Sequence, residues 1–153
     1  MEIERSVELA ASADAVFALV DDLERYPQWM QLVHDVASAT PSGDDRPAWE
    51  VELRAQVGPF ARSKRLRMVR TVHEPVSAVV FERDEIDGRR HSPWVLRCAI
   101  GPEAADHVRL TMTLLYGGNL WTGAVLQRVL DDHVERGAAE LSKLLADRRR
   151  PVD

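Results

Sequence analysis

The sequence predicts an α+β fold in which a curved, seven-stranded antiparallel sheet surrounds a long C-terminal helix, with two short helices after the first strand. The first observation behind this prediction is a series of segments in which apolar and polar residues alternate, as in strands with one buried face. The second is an amphipathic stretch at residues 120–149, which follows the last alternating segment. A single helix does not fill a sheet of this size, so the pattern also indicates a cavity between the two.

The N-terminal elements are marked by alternation and by capping residues. Residues 2–10 alternate and predict the first strand. Ser12 is a suitable N-cap for the first short helix, because its hydroxyl accepts a hydrogen bond from a free backbone N–H. Asp21, with Glu24 three residues later, resembles a capping box for the second short helix. Pro27 limits this helix, since proline has no backbone N–H to donate.

Six further strands follow from the same alternation. They are predicted at residues 33–40, 48–57, 61–73, 76–85, 94–100 and 107–116. Asp87-Gly88 predicts a tight hairpin between two of them. Gly101-Pro102 is expected to end the strand that begins at residue 94.

The C-terminal helix has its own end signals. Asn119 is a plausible N-cap, and residues 148–150 are three arginines that suit the negative end of the helix dipole. Pro151 stops the helix. Gly137 has no local reason to lie within it, because glycine costs about 1 kcal/mol relative to alanine in a helix. We interpret it either as a point of close approach to the sheet or as space for a ligand.

Length and composition predict a single domain over residues 1–153. The formal net charge of −5 argues against a general nucleic-acid binder. The single cysteine, Cys98, excludes an intrachain disulfide and suits a reducing cytoplasm. The charged N-terminus lacks the apolar run of a signal peptide, and no stretch reaches the ~18 apolar residues of a membrane span. We therefore expect a cytoplasmic monomer or homodimer without nucleic-acid or integral membrane association.

Three local segments resemble a known superfamily. They are residues 13–22 (ADAVFALVDD), residues 24–29 (ERYPQW) and Gly58-Pro59-Phe60. Together with the order of elements, they resemble the helix-grip fold of the START/SRPBCC superfamily, in its polyketide cyclase/dehydrase branch. The resemblance implies that the cavity binds a lipid, sterol, plant hormone or polyketide, and some members are aromatase/cyclases. It identifies the fold better than the chemistry.

Arg70 is the leading catalytic candidate. Alternation places it on the same face as Leu66, Met68 and Val72, which is expected to point inward. In a cavity its permanently charged guanidinium would bind a carboxylate, phenolate or developing enolate, as the resemblance to polyketide cyclases also implies. The alternative is that Arg70 lies near a strand end, or after a bulge, and pairs with a surface acid. Arg83 is a second, weaker candidate.

Three further residues are candidates for proton transfer: Tyr26, Tyr116 and His133. Each also has a structural interpretation. No cofactor is expected. No metal site is expected either, since the acids next to His133 on the last helix do not share its face. Cys98 points inward by alternation and has no evident base nearby, so it is best explained as a small buried apolar residue.

The expected ligand-binding residues are the large or adaptable side chains on the inner faces. They are Trp29, Trp49, Leu53, Met68, Phe81, Arg83, Trp94, Cys98, Met112, Leu126 and Leu130. The tryptophans either stack on a flat ring or fill the core. Both alternatives stay open at this point.

The sequence thus leads to one main hypothesis and two alternatives. The main hypothesis is a cofactor-free aromatase/cyclase or dehydratase that folds an aromatic or polyketide-like molecule in a water-poor pocket. A non-catalytic lipid- or quinone-binding carrier or sensor is the first alternative. An interaction protein with a collapsed cavity, below the ~300 Å³ of usual ligand pockets, is the second. The basic strand with Arg62, Lys64, Arg65, Arg67 and Arg70 also suggests an acyl carrier protein as partner.

Overall fold

The computed structural model describes residues 2–117 and 124–148, without the side chains of Val57 and residues 124–126. These residues form ten helices and strands. The N-terminal elements are β1 (Glu2–Leu9), α1 (Ala13–Val20) and a 3-10 helix (Leu23–Gln28). The strands that follow are β2 (Val33–Ala39), β3 (Ala48–Val57), β4 (Phe60–Glu74), β5 (Ala78–Arg83), β6 (Trp94–Ala104) and β7 (His107–Tyr116). The last element is α2 (Ala124–Arg148). Asn119 and Pro151 lie outside the described residues.

The seven strands form one antiparallel sheet in the order β1-β7-β6-β5-β4-β3-β2. Consecutive strands pair as neighbours, except that β1 joins the far edge beside β7. Helix α2 contacts both β1 and β3, which lie near opposite edges of the sheet. The sheet must therefore curve around the helix, and the predicted fold class is confirmed.

Arg5 on β1 forms an ion pair with Asp131 on α2 and helps hold one edge of the sheet to the helix. The core lies between the concave face of the sheet, α1, the 3-10 helix and the buried stripe of α2. Among the described residues, neither α-helix has the length and hydropathy needed to cross a lipid bilayer.

The capping prediction is correct for α1 and displaced by one residue for the 3-10 helix. The Ser12 hydroxyl accepts a hydrogen bond from the Ala15 N–H at 3.2 Å. Asp22, rather than Asp21, caps the 3-10 helix by accepting from the Glu24 N–H at 2.9 Å. Asp21 already serves as the C-cap of α1, where its own N–H donates to the Phe17 oxygen of that helix.

Two turn predictions are wrong. β6 does not end at Gly101-Pro102 but continues to Ala104. Pro102 lies next to a bulge, beyond the last residue of β6 that pairs with β5. The missing N–H of Pro102 therefore costs the sheet no hydrogen bond. Asp87-Gly88 is not a tight hairpin, since residues 84–93 form a longer connection between β5 and β6. Gly88 adopts a φ of 74°, and the Asp87 carboxylate instead accepts from the Arg89 N–H within this loop.

A β-bulge in β4 changes which residues share the inner face. Arg70 pairs with Phe81, but the next pair is Val72 with Val80, so Thr71 is an extra residue. Arg70 therefore stays on the Met68 face. The prediction that Val72 shares this face is wrong, because the extra residue moves Val72 to the opposite side of the sheet.

Gly137 marks a close approach between α2 and the segment before β2. A Cβ at this position would lie 2.8 Å from Met30 Cε and 2.9 Å from Met30 Sδ. The end of the Met30 side chain thus occupies the space that an alanine methyl group would need. The structure thus shows a close approach at Gly137, but to the segment before β2 and not to the sheet as predicted.

We predict that Ser12→Ala lowers the free energy of unfolding by about 1 kcal/mol, because the Ala15 N–H loses its cap. Chemical denaturation followed by circular dichroism measures this difference. Ser38→Ala, an exposed substitution on β2, is the matched control and should change stability by less than about 0.5 kcal/mol. Equal effects of the two substitutions would contradict the capping role.

Candidate ligand cavity

An apolar cavity lies between the concave face of the sheet, the 3-10 helix and α2. Its described lining residues are Leu23, Tyr26, Met30, Leu32, Val33, Val51, Leu53, Leu66, Met68, Trp94, Leu96, Met112, Leu114 and Val134. None of them exposes polar surface to the cavity. The described part of this site is therefore suited to an apolar molecule and offers it no ionic or hydrogen-bonding partner.

The cavity volume is about 60 Å³. This is room for a few water molecules and is well below the ~300 Å³ of typical small-molecule pockets. This volume falls in the range expected of the interaction protein with a collapsed cavity, the second alternative above. The lining nevertheless includes the flexible thioethers of Met30, Met68 and Met112, which can repack at low cost. A ligand larger than this volume has to displace such side chains on entry.

Three polar side chains near the cavity donate hydrogen bonds to the last carbonyl groups of α1. Trp29 Nε1 donates to the Leu19 oxygen at 3.2 Å, and the Tyr26 hydroxyl donates to the Val20 oxygen at 2.8 Å. Arg70 Nη1 donates to the Asp21 oxygen at 2.9 Å. These carbonyls have no partner within the helix, because it ends there. The three donors therefore cap α1 from its C-terminal end.

Tyr26 lines the cavity, but its hydroxyl group is directed away from the ligand space. Besides the bond to Val20, the hydroxyl oxygen lies 3.5 Å from Cys98 Sγ. Burial raises the pKa of Tyr26 well above its ordinary value. Burial also raises the pKa of the Cys98 thiol, to about 11, so this thiol stays protonated at neutral pH.

Arg70 lies on the concave side of the sheet but outside the described cavity lining. Its guanidinium carbon lies 6.0 Å from the centre of the Trp49 ring, a distance at which a cation and an aromatic face attract. Both residues line a separate surface pocket together with Asp22 and Glu24. Its catalytic role stays a prediction.

The other sequence candidates are dispersed. Leu53, Met68, Trp94 and Met112 line the cavity together with Tyr26. Four candidates are buried but do not line the cavity: Trp49, Phe81, Cys98 and Leu130. Two others, Trp29 and His133, line a separate groove along α2. The Arg83 guanidinium donates to the Ser92 carbonyl and lies 3.5 Å from a carboxylate oxygen of Glu85. The Tyr116 ring centre lies 5.5 Å from that of Trp94, and burial raises the pKa of Tyr116. The Leu126 side chain lies outside those described.

Several lining residues were not among the candidates. Val51, Leu66, Leu96 and Leu114 carry the alternation signal, because they fall on the same inner faces as the candidates. The segment 30–33 has no periodic pattern, and its contribution depends on how the chain passes from the 3-10 helix into β2. Only the tertiary structure shows that it lines the cavity.

An open groove of about 580 Å³ runs along the β3 side of α2. It contains His34, Arg54, Asp132, His133 and Arg136, together with apolar and amide side chains. Burial, with the positive charge of Arg136 as the second cause, lowers the pKa of His133. This cluster differs from the cavity in being polar and accessible to water.

A group of potential metal ligands lies in the connection between β5 and β6. Glu85, Asp87 and His91 each bring one ligand atom within 4.8 Å of the others. His91 Nε2 already contacts both Asp87 oxygens, at 2.8 and 2.9 Å. The group lies away from the cavity lining, and mutual pairing explains the geometry of Asp87 and His91.

A curved sheet around a C-terminal helix, with an apolar cavity between them, defines a helix-grip protein of the START/SRPBCC superfamily. The chain belongs to the family described as polyketide cyclase / dehydrase and lipid transport, whose sequence model matches residues 1–146. The predicted resemblance is confirmed. A search among curated proteins finds no match.

Solved structures show the same fold at low sequence identity. A START superfamily protein from Mycobacterium smegmatis has 20% identity and a TM-score of 0.73, over 95% of this chain and 97% of that chain. A protein from Thermus thermophilus has 17% identity and a TM-score of 0.75, over 98% and 100%. The Zhui aromatase/cyclase from Streptomyces sp. R1128 has 15% identity and a TM-score of 0.71, over 98% and 96%. At these identities the likeness concerns the fold alone.

We predict that Gly137→Ala reduces binding of an apolar probe with little change in stability. The new methyl group forces the end of Met30 to move, and Met30 lines the cavity, so the free volume falls. The gain in helix propensity, about 1 kcal/mol, offsets part of the strain. Titration with naphthalene, followed by tryptophan fluorescence, and chemical denaturation measure the two effects. Adding Met30→Ala should restore binding, and failure of this rescue would contradict the explanation.

We predict that Tyr26→Phe lowers the free energy of unfolding by about 1–2 kcal/mol, because the Val20 carbonyl is left buried without its donor. The affinity for the same neutral probe should stay close to that of the wild type, since the hydroxyl is directed away from the cavity. Thermal or chemical denaturation provides the first measurement. Unchanged stability together with lost binding would show instead that the hydroxyl serves the ligand.

Proposed function

We propose that this protein binds an apolar small molecule, aromatic or polyketide-like, between the sheet and α2, and acts as a carrier or sensor of that molecule. The observation that carries the proposal is the apolar character of the whole described lining. Transfer of apolar surface from water into such a site supplies about 25 cal/mol per Å² of the buried area. Trp94 offers an aromatic face within this lining, which favours a flat ligand. The lipid transport function in the family description supports the same proposal.

An aromatase/cyclase or dehydratase activity is the second candidate. The family description and the likeness to the Zhui aromatase/cyclase favour it. In this case Arg70, held over Trp49 and exposed to a neighbouring pocket, would stabilise the enolate that attacks a carbonyl of the same chain. A tyrosine or water would move the proton. The described cavity lining favours binding over this chemistry, because it places no charged group beside the ligand.

Partner and location follow from the function. A cyclase that works on a carrier-bound chain would dock an acyl carrier protein, and the exposed Arg62 and Arg65 at the start of β4 offer a basic surface for an acidic partner. The carrier or sensor needs no such partner.

The buried free thiol of Cys98 supports a reducing, cytoplasmic location.

Cavity filling tests the proposed binding. Val51→Phe places a larger side chain in the cavity lining, whereas Val36→Phe makes the same change at its cross-strand partner outside the lining. We expect Val51→Phe to weaken naphthalene binding by at least about tenfold, which corresponds to ~1.4 kcal/mol. Val36→Phe should leave the affinity close to that of the wild type. Equal affinity in all three proteins would overturn the assignment of the ligand to this cavity.

A turnover assay separates the two candidate functions. The wild type and Arg70→Ala are incubated with a poly-β-ketone mimic, and the products are separated by chromatography. The carrier or sensor predicts the same product distribution as the spontaneous reaction in both samples. Ring formation by the wild type that is lost in a folded Arg70→Ala variant would establish the cyclase instead.

A further inference from the structure

The groove beside α2 adjoins the cavity along β3 and α2. Along the inner face of β3, Leu53 lines the cavity and Ala55 lines the groove. These residues are two positions apart on one face, which corresponds to about 7 Å along a strand. On α2, Val134 lines the cavity and its neighbour His133 lines the groove. The groove-lining residue nearest to Leu53 on this face, Ala55, has a small side chain.

The groove also collects positive charge in an acidic protein. The chain carries a formal net charge of −5, yet Arg54, Arg136 and two histidines meet in the groove. Asp132 is the one acidic residue among the described lining of the groove. Arg54 is partly neutralised by Glu52, at 3.7 Å, and donates to a serine hydroxyl. Arg136 makes no ion pair or hydrogen bond with the described residues.

His133 is the buried member of this cluster. It is only 9% exposed and, within residues 2–117 and 124–148, has no hydrogen-bond or ion-pair partner. The ring nitrogens of His133 are not among the described buried side-chain atoms that lack a partner, so they reach the water of the groove and are available to a ligand that enters it. His34 faces the same groove as the extra residue of a β-bulge in β2, a feature that redirects side chains next to functional sites.

We propose that this groove binds the oxyanion head of an amphiphilic ligand, a carboxylate or a phosphate ester, whose apolar body occupies the cavity. His133 and Arg136 are the principal donors, and His34 closes the site from the β2 side. This inference rests on the proposed function, because it assigns the apolar part of the same molecule to the cavity. It narrows the ligand class from any apolar molecule to an anionic amphiphile.

The chemistry of the donors fits this assignment. Arginine presents a rigid fork of N–H groups that matches the two oxygens of a carboxylate or phosphate. Arg136 lies close enough to His133 to lower the pKa of the imidazole, after burial as the larger cause. An anion between them reverses the second effect and stabilises the protonated imidazole. Binding of the anion is therefore linked to proton uptake by His133.

The experiment compares three ligands with the same apolar chain. Decanol, decanoate and decyl phosphate are titrated by isothermal calorimetry, with inorganic phosphate as a head-group control. We expect both anions to bind about tenfold more tightly than decanol, the factor expected of a partly exposed charge-assisted hydrogen bond. Carboxylate and phosphate heads are distinguished by which of the two anions binds more tightly.

Variants on the two flanks of α2 locate the effect. His133→Gln and Arg136→Gln should each remove most of the preference for the anions and leave decanol binding unchanged. Arg128→Gln is the matched control, because Arg128 lies on the same helix but lines a groove on the β1 side. It should behave as the wild type. An equal loss with Arg128→Gln would show a general charge effect and would overturn the assignment to this groove.

The pH dependence gives an independent readout. Decanoate affinity should rise as the pH falls through the lowered pKa of His133, and decanol affinity should not. The charged and titratable groups around His133 are Asp132, Arg136 and Glu140 on α2, with His34 and Arg54 from the sheet. His34→Gln tests for a contribution from the second histidine. The NMR titration of the His133 ring should show a raised pKa with decanoate bound. An unchanged value would contradict the proposal.

The outcomes distinguish failure of the oxyanion site from failure of the proposed function. Equal affinity for decanol and both anions would contradict the oxyanion site and would still agree with ligand binding in the apolar cavity. Absence of binding by all three chain ligands would overturn the proposed function itself. If inorganic phosphate binds as tightly as decyl phosphate, the decyl chain contributes nothing and the anion site is unconnected to the cavity. This result would overturn the assignment of an amphiphilic ligand.

Discussion

The packing of α2 across the concave face of the sheet is the constraint on which the rest of the structure depends. The buried stripe with Leu130, Val134, Leu141 and Leu145 covers this face, and an ion pair at β1 fixes one side. The apolar cavity and the polar groove both lie between α2 and the strands, so the packing of these elements positions the site.

The second organising feature is the C-terminal end of α1. This helix has only eight residues, and its last carbonyl groups have no partner within it. Trp29 and Tyr26, from the 3-10 helix and its end, and Arg70, from β4, supply the missing donors. Residues whose chemistry suggested catalysis thus also hold the fold together. In this protein, the position of Arg70 or Tyr26 near the cavity is therefore insufficient evidence for an active site, because the polar atoms of both residues are engaged by α1.

The sequence predicted the site in part, and the errors have physical causes. Alternation identified Leu53, Met68, Trp94 and Met112, because inner-face residues of adjacent strands meet over the cavity. It misplaced Val72, because a single bulge residue reverses the faces and leaves no mark in the pattern. It gave no information on Met30, whose position depends on the absence of a side chain at Gly137, more than one hundred positions away.

The sequence by itself determined the fold class, the strand boundaries to within a few residues, and the N-cap of α1, since these follow from local periodicity and local hydrogen bonds. The tertiary structure decided the volume of the cavity, the direction of the Tyr26 and Arg70 donors, and the meeting of His133 and Arg136 with the C-terminal end of β3. These depend on distances between elements far apart in the chain. Local patterns specify which face of an element is buried, but they do not specify what it is buried against.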